Sequence, residues 1–110
     1  MNNENFYNIV SQQHLLKELA KKKSLYRTTI LKKADNNLIS AICESIYNIL
    51  EGNVPLRSDQ KVLLIKYKSV LRKLVQRNKI KYKKKLLVQS GGFLGIVLPA
   101  VLSLVSSLFD

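Results

Sequence analysis

Cysteine and histidine are almost missing from this chain: each occurs once, as Cys43 and His14. A single cysteine closes no intramolecular disulfide, so the fold is no disulfide framework and a reducing compartment is the simplest expectation. One histidine and one cysteine also exclude the usual zinc ligand sets and any histidine-based triad. Cys43 sits near Ile42 and Ile46 like a small core residue, and His14, beside Leu15, reads as a surface or boundary side chain. Glu44 and Glu51 lie seven positions apart on one helix, too far for a coupled pair of carboxylates. Gly91-Gly92 lacks the lysine and further glycines that a phosphate loop needs. The expectation is a protein that is not an enzyme and takes no cofactor or metal. The start, MNNENFYNIV, has no cationic segment leading into an apolar run, so it does not read as a secretory signal. Period-two alternation of useful length, the mark of strands, is missing too.

Acidic side chains are also few: 7 against 19 lysines and arginines, for a net charge of +12 over 110 residues. The imbalance is local. Residues 1–56 carry seven basic and five acidic groups, net +2, whereas residues 57–85 carry twelve basic and one acidic, net +11. A surface kept merely soluble intersperses both signs. A block this dense in one sign points to a polyanion, either nucleic acid or an anionic membrane surface.

What is present reads as helix, in a length that suits one domain. Phe6, Ile9, Val10, Leu15, Leu16 and Leu19 recur at near-helical spacing, and Ser24 caps a short second helix through Ala34 with Leu25, Ile30 and Leu31 inward. Asp35 or Asn36 opens a stronger helix, LISAICESIYNILEG. There Leu38, Ile42, Ile46, Ile49 and Leu50 form one stripe, Glu44, Ser45, Asn48 and Glu51 lie mostly away from it, and Gly52 is the stop. Pro55 ends helical continuation at Val54, and Ser58 is a ready cap. The next helix is expected from Asp59 to Arg77, with Leu63, Tyr67, Val70, Leu71 and Leu74 on one face and Leu64 at its edge. Its cations form two tracks: Lys61, Lys68 and Arg72 on one side, and Lys66, Lys73 and Arg77 on the other. A further helix over Ile80–Val88 adds Lys79, Lys81, Lys83, Lys84 and Lys85, leaving Ile80 and Leu87 to pack. The predicted class is all-α, a small bundle of about four helices over residues 1–90. A separate hydrophobic C-terminal helix follows over residues 91–110.

Lysine dominates arginine from 79 to 85, which suits neutralising phosphates one by one better than bidentate reading of guanine. The eleven cations named are therefore candidate contacts to double-stranded DNA, bound without sequence preference and with a steep salt dependence. Tyr67 falls on the apolar face and reads as packing; Tyr82 fits packing and base stacking equally.

The tail, FLGIVLPAVLSLVSSLF, is seventeen residues without charge. As a helix that is roughly 25 Å, short of a comfortable bilayer span. Pro99 kinks it or starts it locally. Gly95, Pro99, Ala100, Ser103, Ser106 and Ser107 gather on one side. Phe93, Leu94, Val97, Leu98, Val101, Leu102, Leu104, Val105, Leu108 and Phe109 occupy the other. The small side permits close helix approach, and the large side suits insertion into one leaflet with the lysines on its headgroups. Three destinations stay open: an anionic membrane, sister copies, or the core of the bundle itself.

The order LISAICESIYNILEGNVPL, a basic helix, then KYKKKLLVQSGGFLGIVLPAVLSLVSSLF resembles a known group. These are the small basic proteins of Maverick/Polinton-type elements and adintoviruses, in turn regarded as similar to the adenovirus core protein X (mu) precursor. The resemblance covers about Leu38 to Phe109. It implies a minor virion protein packaged with a double-stranded DNA genome and present in the host nucleus during assembly. Capsid protein is then a further candidate partner of the C-terminal helix. Adenovirus-type proteases favour a large aliphatic residue two positions before such a glycine pair. Gln89 stands there instead, so the resemblance does not extend to cleavage at this junction.

Overall fold

The computed structural model describes residues 7–21 and 24–109, with backbone alone at 24, 25, 108 and 109. The expected contributions of Phe6, and of the side chains of Leu25, Leu108 and Phe109, lie outside the described residues. Every regular element among those described is helical: α1 (Tyr7–Ser11), α2 (Gln13–Lys21), α3 (Ser24–Lys32), α4 (Asn36–Leu50), α5 (Ser58–Ile65), α6 (Lys68–Val75), α7 (Ile80–Ser90) and α8 (Leu94–Phe109), with a 3-10 turn at Gly91–Phe93 before α8.

Helix α4 is the axis. The Asp35 carboxylate accepts the Leu38 N–H at 2.9 Å, satisfying one of the first-turn donors that the helix leaves orphaned. Gly52, at φ 76°, takes the left-handed turn that ends the helix region. The buried arc of α4 is wider than the expected stripe, because α1, α6, α7 and α8 all pack on it. Ser45 and Asn48 are consequently buried, against the expectation that they face away, and each is hydrogen-bonded. Ser45 Oγ donates to the Ala41 carbonyl at 2.9 Å, and Asn48 Nδ2 donates to that of Glu44 at 2.9 Å. Leu50, expected inside, reaches the surface.

Two expected helices are broken. The first divides at Gln12, so that α1 packs on α4 through Ile9 while α2 packs chiefly on α8, burying Leu16 and Leu19. The basic helix divides at Lys66–Tyr67, where Tyr67 takes φ −101° and ψ 3°. Its N–H bonds back only three residues, to Leu64 O at 3.0 Å. The break sets the Tyr67 ring against Phe93, centroids 5.7 Å apart and tilted by 59°. A straight helix from 59 to 77 would carry one unbroken stripe; the broken one turns Leu64 inward on α5 and Leu71 and Leu74 inward on α6.

The C-terminal helix, expected to stand apart, is packed into the bundle. Phe93, Leu94, Val97, Leu98, Val101, Leu102 and Val105 are all buried, in the same cluster as the core residues of α4. A helix this apolar on its large face has most of its stabilisation in covering that face, and α2 and α4 supply the cover. Pro99 lies inside α8 without ending it, on the exposed side. The architecture is thus an all-helical bundle with α4 and α8 at its centre.

Candidate nucleic-acid interface

The break at Tyr67 divides each of the two expected cation tracks, leaving Lys61 and Lys66 before it and the rest after it. Lys61 lies on α5 and Lys66 in the turn after it; Lys68, Arg72 and Lys73 lie on α6. Arg77 and Lys79 fall in the link to α7, and Lys81 and Lys85 lie on α7. All nine are exposed. No described carboxylate forms an ion pair with any of them; the ion pair of this region joins Arg57 to Asp59, Nε to Oδ1 at 3.1 Å. That contact lowers the Asp59 carboxyl and raises the Arg57 guanidinium. Lys66 Nζ lies 5.5 Å from the centre of the Tyr67 ring, a cation over an aromatic face.

Two of the eleven expected contacts face inward. Lys84 Nζ donates to the Ala34 carbonyl at 2.9 Å, tying the residues just past α3 to α7. Lysine near a helix C-terminus is favoured there by the carbonyls left without donors. Lys83 is half-buried beside Cys43 and Glu44, in the wall of a cavity of about 320 Å³. Burial pushes the Cys43 thiol up to about 11, with the Lys83 charge acting the other way. Burial also raises the Glu44 carboxyl, against the Asn8 amide that donates to its Oε1 at 2.6 Å. Glu44 Oε2 is buried without a hydrogen-bond partner. No three His, Cys, Asp or Glu side chains gather as metal ligands among the described residues.

On α8 the two expected faces are separated as read, but their roles are exchanged. Among the described side chains the large side is core, with Leu104 half-buried at its border. The small side is the outward one: Gly95, Pro99, Ser103 and Ser107 are exposed. It is not bare along its length. A Cβ added at Gly95 would meet Arg27 Nη2 at 3.3 Å, and Arg27 Nε is fixed to Leu19 O at 3.2 Å. Ser103 and Ser107 line a depression shared with Pro55, Arg57 and Gln60.

Sequence reasoning missed the apolar surface of α5. Val62, Leu63 and Ile65 are exposed, although Leu63 was expected inside and Leu64 only at the edge. The signal was available in the run Val62-Leu63-Leu64-Ile65. Four consecutive positions span every side of a helix, so a surface helix buries only part of such a run. Compared with models of protein families, with curated proteins and with solved structures, the chain has no match in any of the three.

Proposed function

We propose that this is a non-enzymatic, DNA-associated protein of a double-stranded DNA viral element, which neutralises packaged genome without reading its sequence. The observation that supports the reading is the exposure of nine cations on α5, α6, α7 and their links, with no described carboxylate paired to them. Lysine side chains on several short helices present a broad field in place of a shape matched to one groove, and each phosphate contact releases counterions. A mobility shift on unrelated duplexes tests it. Affinity should be the same for all of them and fall steeply with added salt. Lys68→Gln should reduce the salt slope by about one, as a single phosphate contact does. Binding that survives high salt, or that needs one sequence, overturns the reading.

A second reading gives the C-terminal helix its own role as a separable element that docks on capsid, on a sister copy or in a membrane. The stretch Ile80–Ser107, taken as one helix, is long and apolar enough to cross a bilayer. Release of α8 would uncover six buried large side chains among its described residues, at roughly 1.5–3 kcal/mol each as an upper bound. That sum rivals the whole stability of a small domain. Insertion therefore requires the membrane to replace the core it empties. Dye release from anionic liposomes by the full chain checks this, and a chain that leaves the liposomes intact rules it out.

A further inference from the structure

Phosphate binding leaves one feature of the cationic surface unused. Ile65 is 68% exposed and Leu50, at the end of α4, is 36% exposed. Both open onto a groove of about 170 Å³ that also takes in Leu56, Leu64 and Leu71, with Lys61 and Lys68 in its wall. A phosphodiester backbone offers aliphatic groups no favourable cover, because its oxygens lose hydration against them. An apolar groove walled by cations asks for a ligand that is apolar along one line and anionic beside it.

We propose that this groove binds an amphipathic helix from an acidic partner protein, which seats aliphatic side chains between Leu50 and Ile65 and sets carboxylates against Lys61 and Lys68. The volume suits one or two aliphatic side chains, and a recess takes a projecting side chain, as in other helix-in-groove complexes. Charge argues for the acidic partner: neither lysine of the wall is paired with a carboxylate among the described residues. It argues against a second copy of this chain, which brings a net charge of +12 to a basic surface. The inference shares Lys61 and Lys68 with the DNA reading but rests also on aliphatic residues that DNA does not use, so Ile65, which is no DNA contact, separates the two.

The test titrates the full chain into a fluorescent designed helical peptide with leucines at positions i, i+3, i+4 and i+7 flanked by glutamates. The same peptide with lysines in place of the glutamates is the control. The glutamate peptide should bind, shift the methyl resonances of Leu50, Leu64 and Ile65, and leave the lysine peptide behind. Ile65→Ser should weaken binding about tenfold, the scale of one aliphatic side chain lost from an interface. Its thermal midpoint and its affinity for duplex DNA should be unchanged. Val62→Ser, outside the groove, should bind the peptide as the parent does. Equal binding of the two peptides, an unaltered Ile65→Ser affinity, or methyl shifts elsewhere overturns the proposal. So does vesicle binding without peptide binding, using phosphatidylcholine with phosphatidylserine, or dimerisation of the chain that Ile65→Ser abolishes.

Discussion

Helices α5 and α8 both carry runs of aliphatic residues, yet α8 buries its run while α5 shows much of its own to water. The difference lies in what surrounds each run. On α8 no charge interrupts residues 94–107, so the large face meets α2 and α4 without stranding an ammonium group. On α5 the run is bracketed by Lys61 and Lys66, which must stay in water, and the helix lasts only Ser58–Ile65. Only Leu64 of that run is buried. Apolar content alone therefore does not say which segment is interior. The charges at the edges of the run decide it, with the length of helix available to turn them outward.

The strongest way to break this contrast is to put a charge in the buried run of α8. Leu98→Lys places an ammonium at a position with 0% exposure, and cooperative thermal unfolding should be lost. Removal of residues 91–110 should do the same, and a 1–90 fragment that melts near the full chain would show that the bundle does not need α8. Leu98→Ala is milder, with an expected cost of about 2–5 kcal/mol by denaturant titration.

Smaller still is the effect of the thiol beneath the bundle surface. The Cys43 thiol is raised from 9.0 to about 11 on folding, so the unfolded chain ionises first as pH climbs. Its contribution is whole below about pH 9 and is lost as pH rises toward 11, by at most about 2–3 kcal/mol. The stability difference between the parent and Cys43→Ala should narrow over that window, and a constant difference counts against the burial. The least effect belongs to α5: Val62→Ser should stay within about 0.5 kcal/mol of the parent, since Val62 is 67% exposed.

The helical class, a helix start at Asp35 or Asn36, the turn at Gly52 and the inward Leu38, Ile42, Ile46 and Ile49 were legible because each follows from local chemistry. The break at Tyr67 was not. It depends on Phe93, twenty-six positions away, receiving the tyrosine ring. Ser45 and Asn48 read as outward because a polar side chain ordinarily is; with helices on several sides of α4 they are enclosed and bond to their own backbone. Of the candidate site, the exposure of most lysines follows from their chemistry. The use of Lys84 to hold the Ala34 carbonyl rests on a contact fifty positions apart. The C-terminal helix read as separate because its large face suits a core and a bilayer alike, and it is the matching faces of α2 and α4 that place it in the bundle.

That match between α2 and α8 has a consequence for how the chain comes off the ribosome. Residues 13–21 are made early, but the surface that covers them is residues 94–109. Until those are synthesised, Leu16 and Leu19 face water, and a long loop must then close to bring the two segments together. The lysine-rich stretch emerges just ahead of α8, so the nascent chain is cationic and open before it is folded. Ribosome stalling before residue 94 should yield a species that chaperones hold and proteases cut, and stalling after α8 has cleared the tunnel should yield a resistant one.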